Sequence, residues 1–235
     1  MLVELCELTA GYGDINVINN LNLGLNTGEI VALIGHNGAG KTTTLLSIIG
    51  DVQPRKGKVV YRGDNLTGQK PSEICRNGIA FVPQSKNVFS TLSVYENLLM
   101  GLYMSGNHFT KKAEKENVEQ IYDIFPILSE KRSHHAGSLS GGQRQMLALG
   151  MAIISKPSVL LLDEPSTGLS PLFVEKVLNS VKGISDQLGM SVIIVEQNVG
   201  QVLKIADRVN IIKLGSMVYE GKPDGLSVED MWSMF

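Results

Sequence analysis

The sequence predicts an α/β fold: a mainly parallel β-sheet with helices on its faces, an N-terminal antiparallel β-subdomain, and an α-helical subdomain inserted into the core. Three observations carry this. Short, continuously apolar runs alternate with helical stretches along most of the chain, as buried parallel strands require. The first 25 residues instead alternate apolar with polar, the period-2 sign of strands with one covered face. Between Gln84 and about residue 155 there is no convincing strand, only helical starts.

Taken in order, Leu2 to Leu25 gives the antiparallel strands, most plainly in "LNLGLN" at 21–26, with the glycines of "AGYG" and the "NTGE" turn as punctuation. "EIVALIG" at 29–35 reads as a fully buried strand, followed by a glycine-rich loop and a helical "TTTLLSIIG". Further buried strands are expected at "KVVY", "GIAFVPQ", "SVLLLDEP", "SVIIVEQ" and "RVNIIKL", the last continuing through Gly215 into "SMVYEG". In the insert, about 85–155, Ser93 and Glu96 have capping-box spacing ahead of "NLLMGLYM". "TKKAEKENVEQIYDIF" at 110–125 places Ala113, Ile121, Ile124 and Phe125 among charges, as an exposed helix with a narrow apolar stripe does. The whole, 1–235, reads as one domain.

Composition narrows the function classes. With 235 residues and 43% hydrophobic content, the chain can bury one substantial core. A formal net charge of -2 and no basic stripe make nucleic acid an unexpected partner. Cys6 and Cys75, without CxxC spacing, point to reduced thiols in a cytosolic protein. No secretory signal is expected, and no run approaches the roughly 20 apolar residues of a membrane span, so any crossing of a membrane falls to another chain.

The chemistry begins with "GHNGAGKTT" at 35–43, which fits G-x4-G-K-[ST] between a buried strand and a helix. The nucleotide-binding stretch is Gly35, His36, Asn37, Gly38, Ala39, Gly40, Lys41, Thr42 and Thr43. Gly38 and Gly40 let backbone N–H groups face phosphate oxygens, Lys41 reaches the β- and γ-phosphates, and Thr42 offers a hydroxyl to Mg²⁺. "SVLLLDEPS" ends a buried strand in two carboxylates: Asp163 suits the Mg²⁺ shell, and Glu164 can polarise a water for in-line attack. The pair of motifs means Mg²⁺-assisted nucleotide hydrolysis, leaving kinases and GTPases in contention; the lack of an N-K-x-D guanine reader weakens the GTPase. His134 and His135 read as a solvated loop pair rather than metal ligands.

"LSGGQRQ" at 139–145 separates these classes, because a Ser-Gly-Gly run opening an apolar helix makes an anion site at a helix mouth. With it the sequence resembles the ABC-type ATPases along essentially its whole length. The resemblance implies ATP as the nucleotide and a head-to-tail dimer, homo- or heteromeric, in which Ser140, Gly141, Gly142 and Gln143 of one subunit complete the nucleotide site on its partner's loop, with Ser140 and Gly142 touching the γ-phosphate. It further implies that Gln84 senses Mg²⁺ and water, and that Tyr12 stacks on adenine; alone, Tyr12 would be a turn aromatic. Three positions depart from the family's pattern. Ser170 stands for the usual aspartate of the D-loop "STGLSP", Met151 for a common arginine, and Gln197 for the histidine that normally ends the following strand. A glutamine amide can donate to a phosphate oxygen and accept from water or backbone but cannot carry a proton at neutral pH, so this position is expected to work by geometry with Glu164 as the base.

"VEQN", "AGYG" and "GLSP" together resemble the ATP-binding subunits of branched-chain amino acid transporters of the LivF type, with amide and urea importers close by. That resemblance implies a peripheral ATPase on the cytoplasmic face of the cell membrane. It would be paired with a second ATPase subunit and two transmembrane permease subunits and served indirectly by an external solute-binding protein. The competing reading is a soluble ABC ATPase acting on DNA or the ribosome, which would be expected to carry coiled-coil insertions, a second cassette or basic extensions.

Overall fold

The computed structural model describes residues 1–85, 87–106 and 109–224; the remainder of the expected domain, including 225–235, lies outside the described residues. Strands β1 (Val3–Tyr12) and β2 (Ile15–Leu25) form an antiparallel hairpin. β3 (Ile30–Ile34) follows, then α1 (Lys41–Ile48), β4 (Lys56–Tyr61), β5 (Asp64–Asn65), α2 (Pro71–Arg76) and β6 (Ile79–Val82). The helices α3 (Val94–Met104), α4 (Lys111–Ile124), α5 (Pro126–Glu130) and α6 (Gly141–Ile153) come before β7 (Val159–Asp163). The chain continues through α7 (Pro171–Leu188), β8 (Ser191–Val195), α8 (Val199–Val202), β9 (Arg208–Lys213) and β10 (Ser216–Gly221).

Two sheets result. One is antiparallel, in the order β2-β1-β4-β5; the other runs β10-β9-β3-β8-β7-β6, parallel except for the edge pair β9–β10. The expectation that "KVVY" joins the parallel sheet is corrected: β4 pairs antiparallel with β1, in the register Val3↔Tyr61. An apolar run does not distinguish the two sheets, because its partner lies some fifty residues earlier. The register β3–β8–β7–β6 brings the ends of four parallel strands to one edge, where loops carry polar side chains.

β3, β7 and β8 are buried at every residue, which is why they read as unbroken apolar runs. One core joins a face of the parallel sheet (Ile30, Ala32, Val192, Ile194) to the insert (Leu98, Leu102, Leu147, Leu149) and to α7 (Val177, Leu178, Val181). A second joins the other face to α1 and the antiparallel sheet through Leu8, Ile18, Leu45 and Ile48. The insert carries no named strand among the described residues. Its α3 starts on the predicted capping box: Ser93 Oγ accepts from Glu96 N, and Glu96 Oε2 accepts from Ser93 N at 2.7 Å. On α4 the buried residues are Val118, Ile121 and Tyr122, with Phe125 buried just beyond. Val118 and Tyr122 thus join the predicted stripe and broaden it, while Ala113 and Ile124 are only half-buried. Burial pushes the Tyr122 phenol up to about 12.

Candidate active site

The loop after β3 folds back on itself because two of its glycines take left-handed backbone angles, Gly38 (φ 82) and Gly40 (φ 107). Gly40 caps α1, so the first N–H groups of that helix open into the loop. Gly35 is held against β9: a Cβ there would lie 2.4 Å from the Ile212 carbonyl oxygen. Lys41, only 5% exposed, donates to the carbonyls of Gly35 (2.7 Å) and His36 (3.1 Å). Burial lowers its pKa, and Glu164 and Asp163 oppose that shift. Thr42 Oγ1 donates to Asp163 Oδ1 at 3.0 Å, joining the loop to the end of β7. Burial raises the pKa of Asp163, opposed by the Thr42 bond.

Glu164 sits where β7 breaks, at φ 47, a left-handed angle costly for a non-glycine residue. Its N–H is tied to the Val195 carbonyl at 2.9 Å. The turn buries its side chain to 8% exposure and aims it into the cleft. There one carboxylate oxygen, Oε2, accepts three bonds from three segments: Gln84 Nε2 at 2.7 Å, Gln197 Nε2 at 2.8 Å and Thr167 Oγ1 at 3.0 Å. Oε1 accepts none from the described residues. Gln197 Nε2 also lies 3.4 Å from Asn37 Oδ1 of the glycine loop. In this structure Gln197 holds the acid through an amide donor. The cleft these groups line, about 290 Å³, runs from Gly38, Gly40 and Thr42 to Gln84, Glu164 and Gln197.

The family model described as "ABC transporter" matches residues 18–167. The chain belongs to the ABC transporter family. It is 41% identical to the high-affinity branched-chain amino acid transport ATP-binding protein BraG of Pseudomonas aeruginosa, over 90% of this chain and 89% of that one. It is 35% identical to the probable branched-chain amino acid transport ATP-binding protein LivF of Archaeoglobus fulgidus, over 96% and 94%. Among solved structures it is similar, at TM-score 0.83 and 25% identity, to a dimeric post-hydrolysis state of the ATP-binding cassette MJ0796 bound to ADP and Pi; the match covers 95% of this chain and 100% of that one. As a member of this ABC family the chain is a nucleotide-binding ATPase that works within a transporter complex. Among the described residues no helix is long and apolar enough to cross a membrane.

The remaining predicted ABC positions divide into those brought to the cleft and those kept away. Thr43, on the first turn of α1, is buried. Ser140 caps α6 in a closed capping box, accepting from Gln143 N while Gln143 Oε1 accepts from Ser140 N at 3.0 Å. None of Ser140 to Gln143 lines the cleft. Gly142 has a local reason to be glycine, since a Cβ would lie 2.5 Å from Phe173 of α7. Tyr12 is 53% exposed at the tip of the β1–β2 hairpin, and Arg55 pins that tip by bonds to Asn16 Oδ1 and the Gly13 carbonyl. Ser170 is the N-cap of α7 without a side-chain cap bond, and Met151 is buried on α6 against Gly101. Sequence reasoning missed Thr167, Glu196 and Arg55. A polar residue just past a buried strand is the signal that could have found the first two.

Proposed function

We propose that this chain is the ATP-hydrolysing motor of an importer for branched-chain amino acids or related amide and urea solutes, a single ATP-binding domain with its helical part at about 85–155. The observation that carries the hydrolytic reading is the convergence of Gln84, Thr167 and Gln197 on one oxygen of Glu164, beside Lys41, Thr42 and Asp163. Lys41 would release its loop carbonyls for the β- and γ-phosphate oxygens. Thr42 and Asp163 offer the hard oxygens that suit Mg²⁺, which when bound neutralises charge on the phosphates. Gln84, through its second amide atom, would complete that shell. The oxygen of Glu164 left free accepts the proton of a water attacking in line, while the three donors fix the carboxylate's rotamer. Ser140 to Gln143 serve a second subunit's site, which explains their distance from this chain's cleft, and Tyr12 stacks on adenine.

Gln197→Ala should slow steady-state hydrolysis about ten- to a hundredfold, the loss of roughly 1–3 kcal/mol expected for a hydrogen bond to a charged group. Gln197→His should add a dependence on pH between about 5 and 8 that the parent lacks, because only imidazole titrates there. Rate against pH for the three proteins checks both; an Ala form equal to the parent would make Gln197 a bystander.

The transport reading rests on the similarity to the amino acid transport subunits and on an apolar cavity of about 250 Å³ between β6, α3 and α6, lined by Phe81, Val88, Phe89, Met104 and Met151. Phe89 is 42% exposed, while its backbone is fixed from both sides by Asn97 of α3 (Phe89 N to Oδ1 at 2.7 Å, Nδ2 to Phe89 O at 3.0 Å). A rigid loop presenting an aromatic side chain fits a permease helix at the cytoplasmic face of the membrane. Phe89→Ala should lower transport more than ATPase; equal losses would assign Phe89 to internal packing. Purification of the untagged chain tests the whole reading: it should travel with membrane subunits, and recovery with ribosomes or DNA would favour the soluble alternative.

A further inference from the structure

Glu196 is the acid that the hydrolytic scheme does not use. It is 1% exposed and carries no salt bridge among the described residues. A carboxylate buried this deeply is costly unless donors surround it. Here they do. Its Oε1 accepts from Ser166 N at 2.9 Å, and its Oε2 accepts from Ser166 Oγ at 2.7 Å, Gln197 N at 3.1 Å and Asn198 N at 3.4 Å. Asn198 Nδ2 donates to Ser166 Oγ at 2.7 Å, which leaves that hydroxyl hydrogen for Glu196. The carboxylate thus ties the loop after β7 to the end of β8, and each tied segment supplies the adjacent residue that donates to Glu164: Thr167 from one, Gln197 from the other.

We propose that Glu196 is a positioning residue for hydrolysis, locking Thr167 and Gln197 into one unit so that both donate to the same oxygen of Glu164 and leave the other for the attacking water. The inference rests on the reading of Glu164 as the base. Of the four donors, Gln197 N and Asn198 N hold the carboxylate to its own loop and the two of Ser166 reach it from the other, while Asn198 Nδ2 adds a second link to Ser166 Oγ, so the two loops are joined at more than one point. Any slip of 164–168 against 196–198 would move Thr167 and Gln197 apart and free the Glu164 carboxylate to rotate.

Glu196→Gln is the direct test, because in either orientation the amide sets an NH₂ against at least one backbone N–H. In the full chain, kcat for ATP should fall about ten- to a hundredfold while the equilibrium Kd for ATP stays within about threefold. The same change made in a Thr167→Ala, Gln197→Ala background should cost less than about threefold, because the groups it positions are gone. A loss multiplying in full on that background, or a Kd for ATP that rises by the same factor as kcat falls, overturns the proposal and leaves Glu196 a structural acid. If Glu196→Gln fails to fold, Ser166→Ala and Asn198→Ala give the same reading with milder losses that must likewise vanish on the double background. Glu164→Gln separates the two failures. If it is inactive and the Glu196 losses multiply, only the positioning role falls; if it hydrolyses at the parental rate, the base assignment falls and the proposal with it.

Discussion

Glu164→Gln should lower the rate of ATP hydrolysis by about 10²- to 10⁴-fold, the range that a positioned general base contributes, while ATP stays bound. The geometry makes this substitution unusually clean. A glutamine can turn its carbonyl oxygen to the place of Oε2 and keep the three bonds from Gln84, Thr167 and Gln197, so the rotamer, the left-handed backbone at this position and its tie to the Val195 carbonyl are all retained. The free oxygen becomes an NH₂ group, which cannot take a proton from water. Affinity for ATP should rise slightly if it changes, since a negative charge near the phosphate chain is removed and Lys41 loses a competing partner. Single-turnover hydrolysis and nucleotide binding measured on the same preparation check both parts. Hydrolysis at the parental rate would remove Glu164 from the mechanism.

How much of this was legible in the sequence follows from the physics of each residue. Lys41, Thr42, Asp163 and Glu164 announce themselves because each lies within a few residues of a buried strand, and an apolar run must stop at polar groups where the sheet ends. Gln197 is read in the same way from "VIIVEQ". Glu196, one residue earlier, carries the same strand-end signal, but what it does depends on Ser166 and Asn198, and the three meet only because β7 pairs with β8. Arg55 is opaque for a similar reason, since it reaches a hairpin some forty residues earlier. Gly142 was legible as part of a helix mouth, but the Phe173 ring packed against it belongs to α7 and could not be foreseen. In the fold, β4 was misplaced because "KVVY" carries the signal for burial but not for the direction of its partner. Local pattern therefore locates strand ends well, while what those ends do to each other is set by register.

Lys41→Ala should fail at the opposite step, binding. The ammonium is nearly buried, held by the Gly35 and His36 carbonyls, with Asp163 and Glu164 as its nearby charges. On the proposed reading, its removal takes away the cation that would meet the phosphate chain and leaves two acids facing the phosphate charges. One charge-assisted contact is worth about 1.5–3 kcal/mol, so ATP should bind on the order of ten- to a hundredfold more weakly. Thermal unfolding gives a sharp readout, because a ligand stabilises the fold by RT ln(1 + [L]/Kd). At an ATP concentration of about a hundred times the parental Kd, the parent gains roughly 2.7 kcal/mol, whereas a protein with hundredfold weaker binding gains only about 0.4 kcal/mol. Glu164→Gln should keep the parental gain, so the two variants separate binding from chemistry in one experiment. A Lys41→Ala protein that keeps the full ATP-induced stabilisation yet does not hydrolyse would place the lysine's contribution in the transition state alone, with the loop backbone and the first turn of α1 carrying the ground-state affinity.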